Sequence, residues 1–126
     1  MPKTTIVYFR DDDGTVPVSE WLDAMEQRDR RIKAKCVASI RMLSESGYQL
    51  RRPNADFLRD GIHELRIRFG SVNYRILYFF HNDKAVLVHS LTKEADVPQR
   101  DIALAILRRN KFILDPLLRV GSEGVP

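Results

Sequence analysis

The stretch Ile62-His63-Glu64-Leu65-Arg66-Ile67-Arg68-Phe69-Gly70-Ser71-Val72-Asn73-Tyr74-Arg75-Ile76-Leu77-Tyr78-Phe79-Phe80 decides the fold of this chain. Both of its halves are strand-like, and Gly70-Ser71 between them is a two-residue hairpin loop of the type with glycine first. Closing that loop sets the register. Leu65 then faces Ile76, Ile67 faces Tyr74 and Phe69 faces Val72, which makes one sheet face wholly apolar. On the other face Arg66 stands opposite Arg75, and Arg68 opposite Asn73. Two arginines directly opposite each other repel by up to about 1 kcal/mol, so the pair calls for an anion or a carboxylate on top of it. Glu64 lies on the same face and is one such partner. A phosphate is the other, because guanidinium groups on rigid strands offer planar, bidentate donors that match its geometry.

Working outward, Lys84 to Leu91 is a third strand-like run set off by His81-Asn82-Asp83, so an antiparallel meander is expected, with Lys93 just beyond it able to reach the cationic face. Upstream, Thr4 to Phe9 reads as a first strand that stops at Asp11-Asp12-Asp13-Gly14. Pro17 suits a helix first turn, and Val18, Trp21, Leu22 and Met25 share one face of it. A longer helix runs from Arg28 to about Ser46, with Ile32, Cys36, Ile40 and Leu43 inward and Gly47 placed to end it. Residues 48–60 show no sustained period and read as a connection. Asp96 and Pro98 open a last helix that runs to about Phe112. The expected class is α+β in a single domain over residues 1–113, with 114–126 a flexible C-terminal tail.

The chain has 126 residues with one Cys and a net charge of +4. That length buries a core without disulfides or a structural metal, and a lone Cys36 in an apolar periodic stretch suits a reducing compartment. Residues 1–46 carry 8 basic and 8 acidic side chains, whereas 47–126 carry 13 and 9, so the whole excess lies in the second part. No apolar run reaches the roughly 20 residues of a membrane span, and the first ten residues lack the pattern of a signal peptide. A soluble cytoplasmic protein is expected. His63 and His89 alternate in phase with apolar neighbours and read as core-edge residues, His81 as a turn residue, and the aspartate run as a solvated turn without the spacing of a calcium loop. The sequence contains no GxGxxG, Walker loop, HExxH or CxxC, and no metal ligand set or cofactor is expected.

The Glu64-Leu65-Arg66-Ile67-Arg68 and Tyr74-Arg75-Ile76-Leu77-Tyr78 pair, followed by Leu91-Thr92-Lys93 and a proline-led helix with Ile102, Ala103 and Arg109, resembles the phage Gp49-like, HigB-type branch of the RelE/ParE toxin superfamily. The likeness covers about residues 3 to 113. It implies a RelE-like fold, in which an N-terminal strand and two helices precede the meander, the first strand joins the meander in one sheet, and a C-terminal helix follows. It also implies the toxin of a type II toxin-antitoxin module, a metal-independent endoribonuclease that enters the ribosomal A site, cuts mRNA and inhibits translation. The implied partners are the ribosome, mRNA and a cognate helix-turn-helix antitoxin of the HigA kind.

Carried over by position, Arg66, Arg68, Arg75 and Lys93 are the expected catalytic residues. Asn73, Arg108, Arg109 and Lys111 are the expected RNA contacts. The arginines would stabilise the extra negative charge of a pentacoordinate phosphorus as the 2′-hydroxyl attacks, and Lys93 would move a proton. Arg75→Ala or Lys93→Ala is expected to abolish growth arrest and leave the fold intact. Two features depart from the ribosome-dependent nucleases of the family: Glu94 follows Lys93 where a further arginine is common, and there is no Tyr after Tyr78. A ParE-like poison of DNA gyrase and a non-toxic nucleic-acid-binding domain therefore stay open as alternatives.

Overall fold

The computed structural model describes residues 3–92 and 96–126. The Gly70-Ser71 hairpin forms as read. β3 (Ile62–Phe69) and β4 (Val72–His81) pair with Leu65 opposite Ile76, Arg66 opposite Arg75 and Arg68 opposite Asn73. Gly70 takes a φ of +62°, the positive value that the first position of this turn demands and that only glycine adopts without strain. β5 (Lys84–Thr92) completes the meander against β4, with an irregularity between Leu77 and Tyr78.

β1 (Thr5–Phe9) lies beside β5 and runs parallel to it, because the chain crosses back through two helices before the meander begins. Proline opens α1 (Pro17–Arg28), and the Glu20 carboxylate accepts the Val16 N–H at 2.9 Å. Asp29 is extended, ends α1 and caps α2 (Arg30–Ser46) by accepting the Arg31 N–H at 2.9 Å. Gly47 ends α2 at a φ of 53° and ψ of −126°. A side chain there would strike Thr4, whose Oγ1 is 2.5 Å from where a Cβ would sit.

Two further strands lie where the sequence pattern predicts irregular chain. Residues 48–60 are not a plain connection: they include a short 3-10 turn and β2 (Ala55–Arg59), which pairs antiparallel with β3. The hairpin between them turns on Asp60 and Gly61, both at positive φ, the geometry that an Asp-Gly dipeptide favours. After α3 (Gln99–Leu114), residues 120–123 lie in the segment that the sequence pattern reads as a tail. They form β6 (Val120–Glu123), an edge strand antiparallel to β1. The strand is held at its start by the Arg10 N–H bonded to the Arg119 carbonyl at 2.7 Å.

The class is α+β, with a six-stranded mixed sheet in the order β2-β3-β4-β5-β1-β6. α1 and α2 cover one face, where Val18, Leu22, Cys36, Ile40 and Leu43 meet Leu65, Ile67, Tyr74 and Ile76. On the other face α3 packs Ile102, Ala105 and Phe112 against Val7, Phe9, Leu77, Phe79 and Val86. That second face is not cationic throughout, as the hairpin register alone suggests, but divided. An apolar part lies under α3, and a polar part on β3 and β4 next to the hairpin carries Glu64, Arg66, Arg68 and Arg75. Among the described residues no helix is long and apolar enough to cross a membrane.

Candidate functional site

Strand alternation puts Glu64, Arg66 and Arg68 on the same face of β3, roughly 7 Å apart in succession at the ordinary rise of a strand. Arg75 reaches them from β4. The outcome for the facing arginine pair is unequal. Arg75 is 7% exposed and Glu64 6% exposed, and the Arg75 Nε lies 2.9 Å from the Glu64 Oε1. The N–H is not aligned with the oxygen, so neither atom has a hydrogen-bond partner although both are buried. Burial pushes the Glu64 carboxyl above the ordinary glutamate range, and the positive charges of Arg75 and Arg66 only partly offset it. Arg66 is half-buried and Arg68 exposed, and among the described residues neither has a carboxylate within ion-pair distance. Arg68 donates from Nε to the Gly70 carbonyl at 3.1 Å, which leaves its terminal nitrogens for other partners.

Three concavities converge on Arg66. One of about 340 Å³ is lined by Arg52, Pro53, Arg66, Ile67, Arg68, Asn73 and Arg75, a wall with four guanidinium groups and, among the described residues, no carboxylate. A second, about 370 Å³, lies between β2, β3 and the first turn of α3. There Glu64, Arg66 and Arg75 meet Arg52, Arg59, Asp56, Asp96 and Gln99. The third, about 250 Å³, runs toward α2, where Lys35 and Asn54 join Arg66 and Arg68. The first of these can hold a phosphate, since its donors are cationic and planar and are carried on paired strands. The second is of mixed sign and contains the buried carboxylate.

Arg52 also belongs to the cluster, although the sequence pattern does not single it out. It sits in the turn before β2 and donates from Nε and Nη2 to one Asp56 oxygen at 2.9 and 2.7 Å. Its only sequence signal is the Arg51-Arg52 pair before Pro53, in a segment without periodicity. Asn73 lines the arginine pocket, as its register implies. Lys93 lies outside the described residues.

The three α3 cations expected to contact RNA, Arg108, Arg109 and Lys111, are placed elsewhere, and none lines the arginine pocket. Arg108 donates to Asp11 at 3.2 Å and to the Val88 carbonyl at 2.8 Å, and Lys111 bonds both Asp11 and Asp12. Arg109 bonds the Asp60 carbonyl and Asn110. The aspartate run is thus more than a solvated turn: it is an ion-pair hub in which Asp12 also meets Arg119 at 2.6 Å. Burial pushes the Asp11 carboxyl up, but the Asp12 N–H, Lys111 and Arg108 outweigh it and hold it below the ordinary range.

The histidines are structural in position. His63 packs among Phe57, Tyr78 and Phe80, and His81 lies against Phe112. The His89 Nε2 is 2.7 Å from Asp101, and burial lowers the His89 pKa even so. Among the described residues no three His, Cys, Asp or Glu side chains are grouped to hold a metal ion.

No curated protein is similar enough to the chain to count as a relative. The sequence profile of the family described as Phage derived protein Gp49-like matches residues 20–110, a span that runs from α1 into α3 and contains every arginine of the pocket. The chain therefore belongs to the Gp49-like family, a family of RelE- and HigB-like toxins.

Proposed function

We propose that this protein is the toxin of a type II toxin-antitoxin module and acts as a ribosome-dependent mRNA endoribonuclease. The observation that carries the reading is the pocket that Arg52, Arg66, Arg68 and Arg75 line together with Asn73, with no carboxylate among the described residues of its wall. Family membership supports the toxin class and an antitoxin partner; the pocket supports a phosphate-bearing substrate. Binding of the RNA backbone there would relieve the repulsion between Arg66 and Arg75 and engage donors that are otherwise unsatisfied.

In the proposed reaction the 2′-hydroxyl attacks the adjacent phosphorus. Arg66, Arg68 and Arg75 stabilise the charge that accumulates on the phosphoryl oxygens, and this guanidinium charge serves in place of a metal ion. Asn73 helps to position the chain, and Lys93 gives a proton to the departing 5′-oxygen. The ribosome supplies further positioning by presenting the codon in one geometry, so a sparse set of protein groups suffices. The antitoxin is proposed to be a helix-turn-helix protein.

Inducible expression followed by mapping of transcript ends tests this reading. New 5′ ends inside translated codons, lost when ribosomes are stalled before elongation, are expected. Growth arrest with intact transcripts and inhibited supercoiling would replace it with gyrase poisoning. Normal growth with intact transcripts would point to a non-toxic nucleic-acid-binding domain.

A further inference from the structure

The reaction needs a group that takes the proton of the 2′-hydroxyl, and the arginines cannot, because a guanidinium stays protonated at any working pH. We propose, resting on the nuclease reading above, that Glu64 is this general base and that Arg75 holds it in place.

Three observations support the assignment. Glu64 lines the mixed-sign cavity of about 370 Å³ into which Arg66 and Arg75 also open. A phosphate bridging those two arginines sets the ribose on the strand face beside them, where Glu64 is the next side chain along β3. Next, the approach to Arg75 is close but misaligned: the buried Glu64 Oε1 lies 2.9 Å from the Arg75 Nε without a hydrogen bond, and among the described residues Oε2 has no hydrogen-bond partner, so Oε2 is the oxygen left to accept a proton.

Last, the surroundings make it a stronger base than an exposed glutamate. Burial raises its pKa first of all, Arg75 on β4 and Arg66 on β3 lower it, Asp56 on β2 raises it, and Arg52 lowers it slightly. Asp96, at the approach to α3, lines the same cavity. The net direction is upward, toward the range in which a base works well.

The proton balance is complete. Glu64 takes the 2′-hydroxyl proton as the O2′–P bond forms, and the P–O5′ bond breaks to leave a 2′,3′-cyclic phosphate. The 5′-oxygen receives a proton from the Lys93 ammonium proposed above, and the two side chains exchange protons with solvent to reset.

The test uses the full chain in a reconstituted translation system, with single-turnover cleavage of a defined mRNA measured across about pH 5 to 8. Wild type is expected to lose rate toward acid as Glu64 becomes protonated. Glu64→Gln, shown folded by circular dichroism, is expected to cut at least about 100-fold more slowly with KM unchanged and with no acid limb. Glu64→Asp, which keeps the carboxylate, is expected to keep the limb at a reduced rate, and it carries the test if the Gln variant fails to fold. A folded Gln variant that cuts within a few-fold of wild type, or a wild-type rate flat toward acid, overturns the assignment and leaves the nuclease reading standing. Wild type that cuts no mRNA overturns both.

Discussion

Arg66 and Arg75 face each other across β3 and β4, but among the described residues only Arg75 has a carboxylate within ion-pair distance, that of Glu64 at 2.9 Å. The two arginines therefore differ in what their removal does to the fold. Removing Arg75 leaves a buried carboxylate without a counter-charge, a loss of about 3 kcal/mol. We expect Arg75→Ala to lower the melting temperature by roughly 10 °C, a cost to the fold that the sequence pattern alone does not anticipate. Arg66→Ala removes the cross-strand repulsion together with a smaller part of the positive charge that offsets Glu64 burial, and is expected to change thermal stability much less than Arg75→Ala. Melting curves of the two variants decide this, and they make Arg66→Ala the cleaner probe of function.

For RNA, the contrast lies between the pocket arginines and the cations of α3. Arg66→Ala and Arg68→Ala are each expected to abolish growth arrest. Each should also flatten the salt dependence of single-stranded RNA binding, with the slope of log affinity against log salt falling by about 0.7 for each phosphate no longer engaged. Arg108→Ala is expected to leave that slope alone and to lower thermal stability, since Arg108 already serves Asp11 and Val88. Salt titrations on the three proteins separate a phosphate-binding arginine from a structural ion pair.

The central hairpin is fully legible in the sequence because two constraints coincide there. The Gly70-Ser71 loop fixes the register, and the alternation of Leu65, Ile67, Tyr74 and Ile76 fixes which side faces the helices. β2 is hidden because Ala55–Arg59 mixes apolar and charged residues in an edge strand, although Asp60-Gly61 is a usable hairpin signal. β6 is hidden because four residues with a glycine among them carry no period, and its place depends on backbone pairing with a strand far away in sequence. For the site, alternation puts Glu64 on the arginine face but does not tell which arginine it accompanies. Nor does it show that Asp11 claims Arg108 and Lys111, since that depends on how α3 lies across the sheet.

The Asp11 hub makes stability depend on pH in a definite direction. The Asp11 carboxyl is held below the ordinary aspartate value in the folded chain, so the unfolded chain binds more protons over the interval between the two. Its contribution is complete above the unfolded value and is lost as pH falls through the folded one. Asp11→Asn is thus expected to lower stability by about 1 kcal/mol at neutral pH, on the scale of a partly exposed charged hydrogen-bond network. The deficit should shrink as the medium is taken below about pH 4. Denaturant titrations of wild type and variant at neutral and acid pH check it, and a deficit that stays constant would mean that Asp11 acts through packing rather than charge.

Gly47 offers a test of how the first strand is anchored to the helical layer. Its backbone, at φ 53° and ψ −126°, lies in a region that side-chain-bearing residues avoid. A Cβ there would also sit 2.5 Å from the Thr4 Oγ1, just where the Thr4 N–H donates to the Ser44 carbonyl at 2.9 Å and Ser44 Oγ donates back to the Thr4 carbonyl at 2.9 Å. Gly47→Ala thus incurs backbone strain and a clash that pushes the start of β1 away from the end of α2. We expect a loss of about 2 to 3 kcal/mol in equilibrium unfolding. Adding Thr4→Ala removes the Oγ1 and should recover only part of that loss, because the strained φ and ψ remain. Complete recovery in the double variant would show that the clash alone accounts for the glycine.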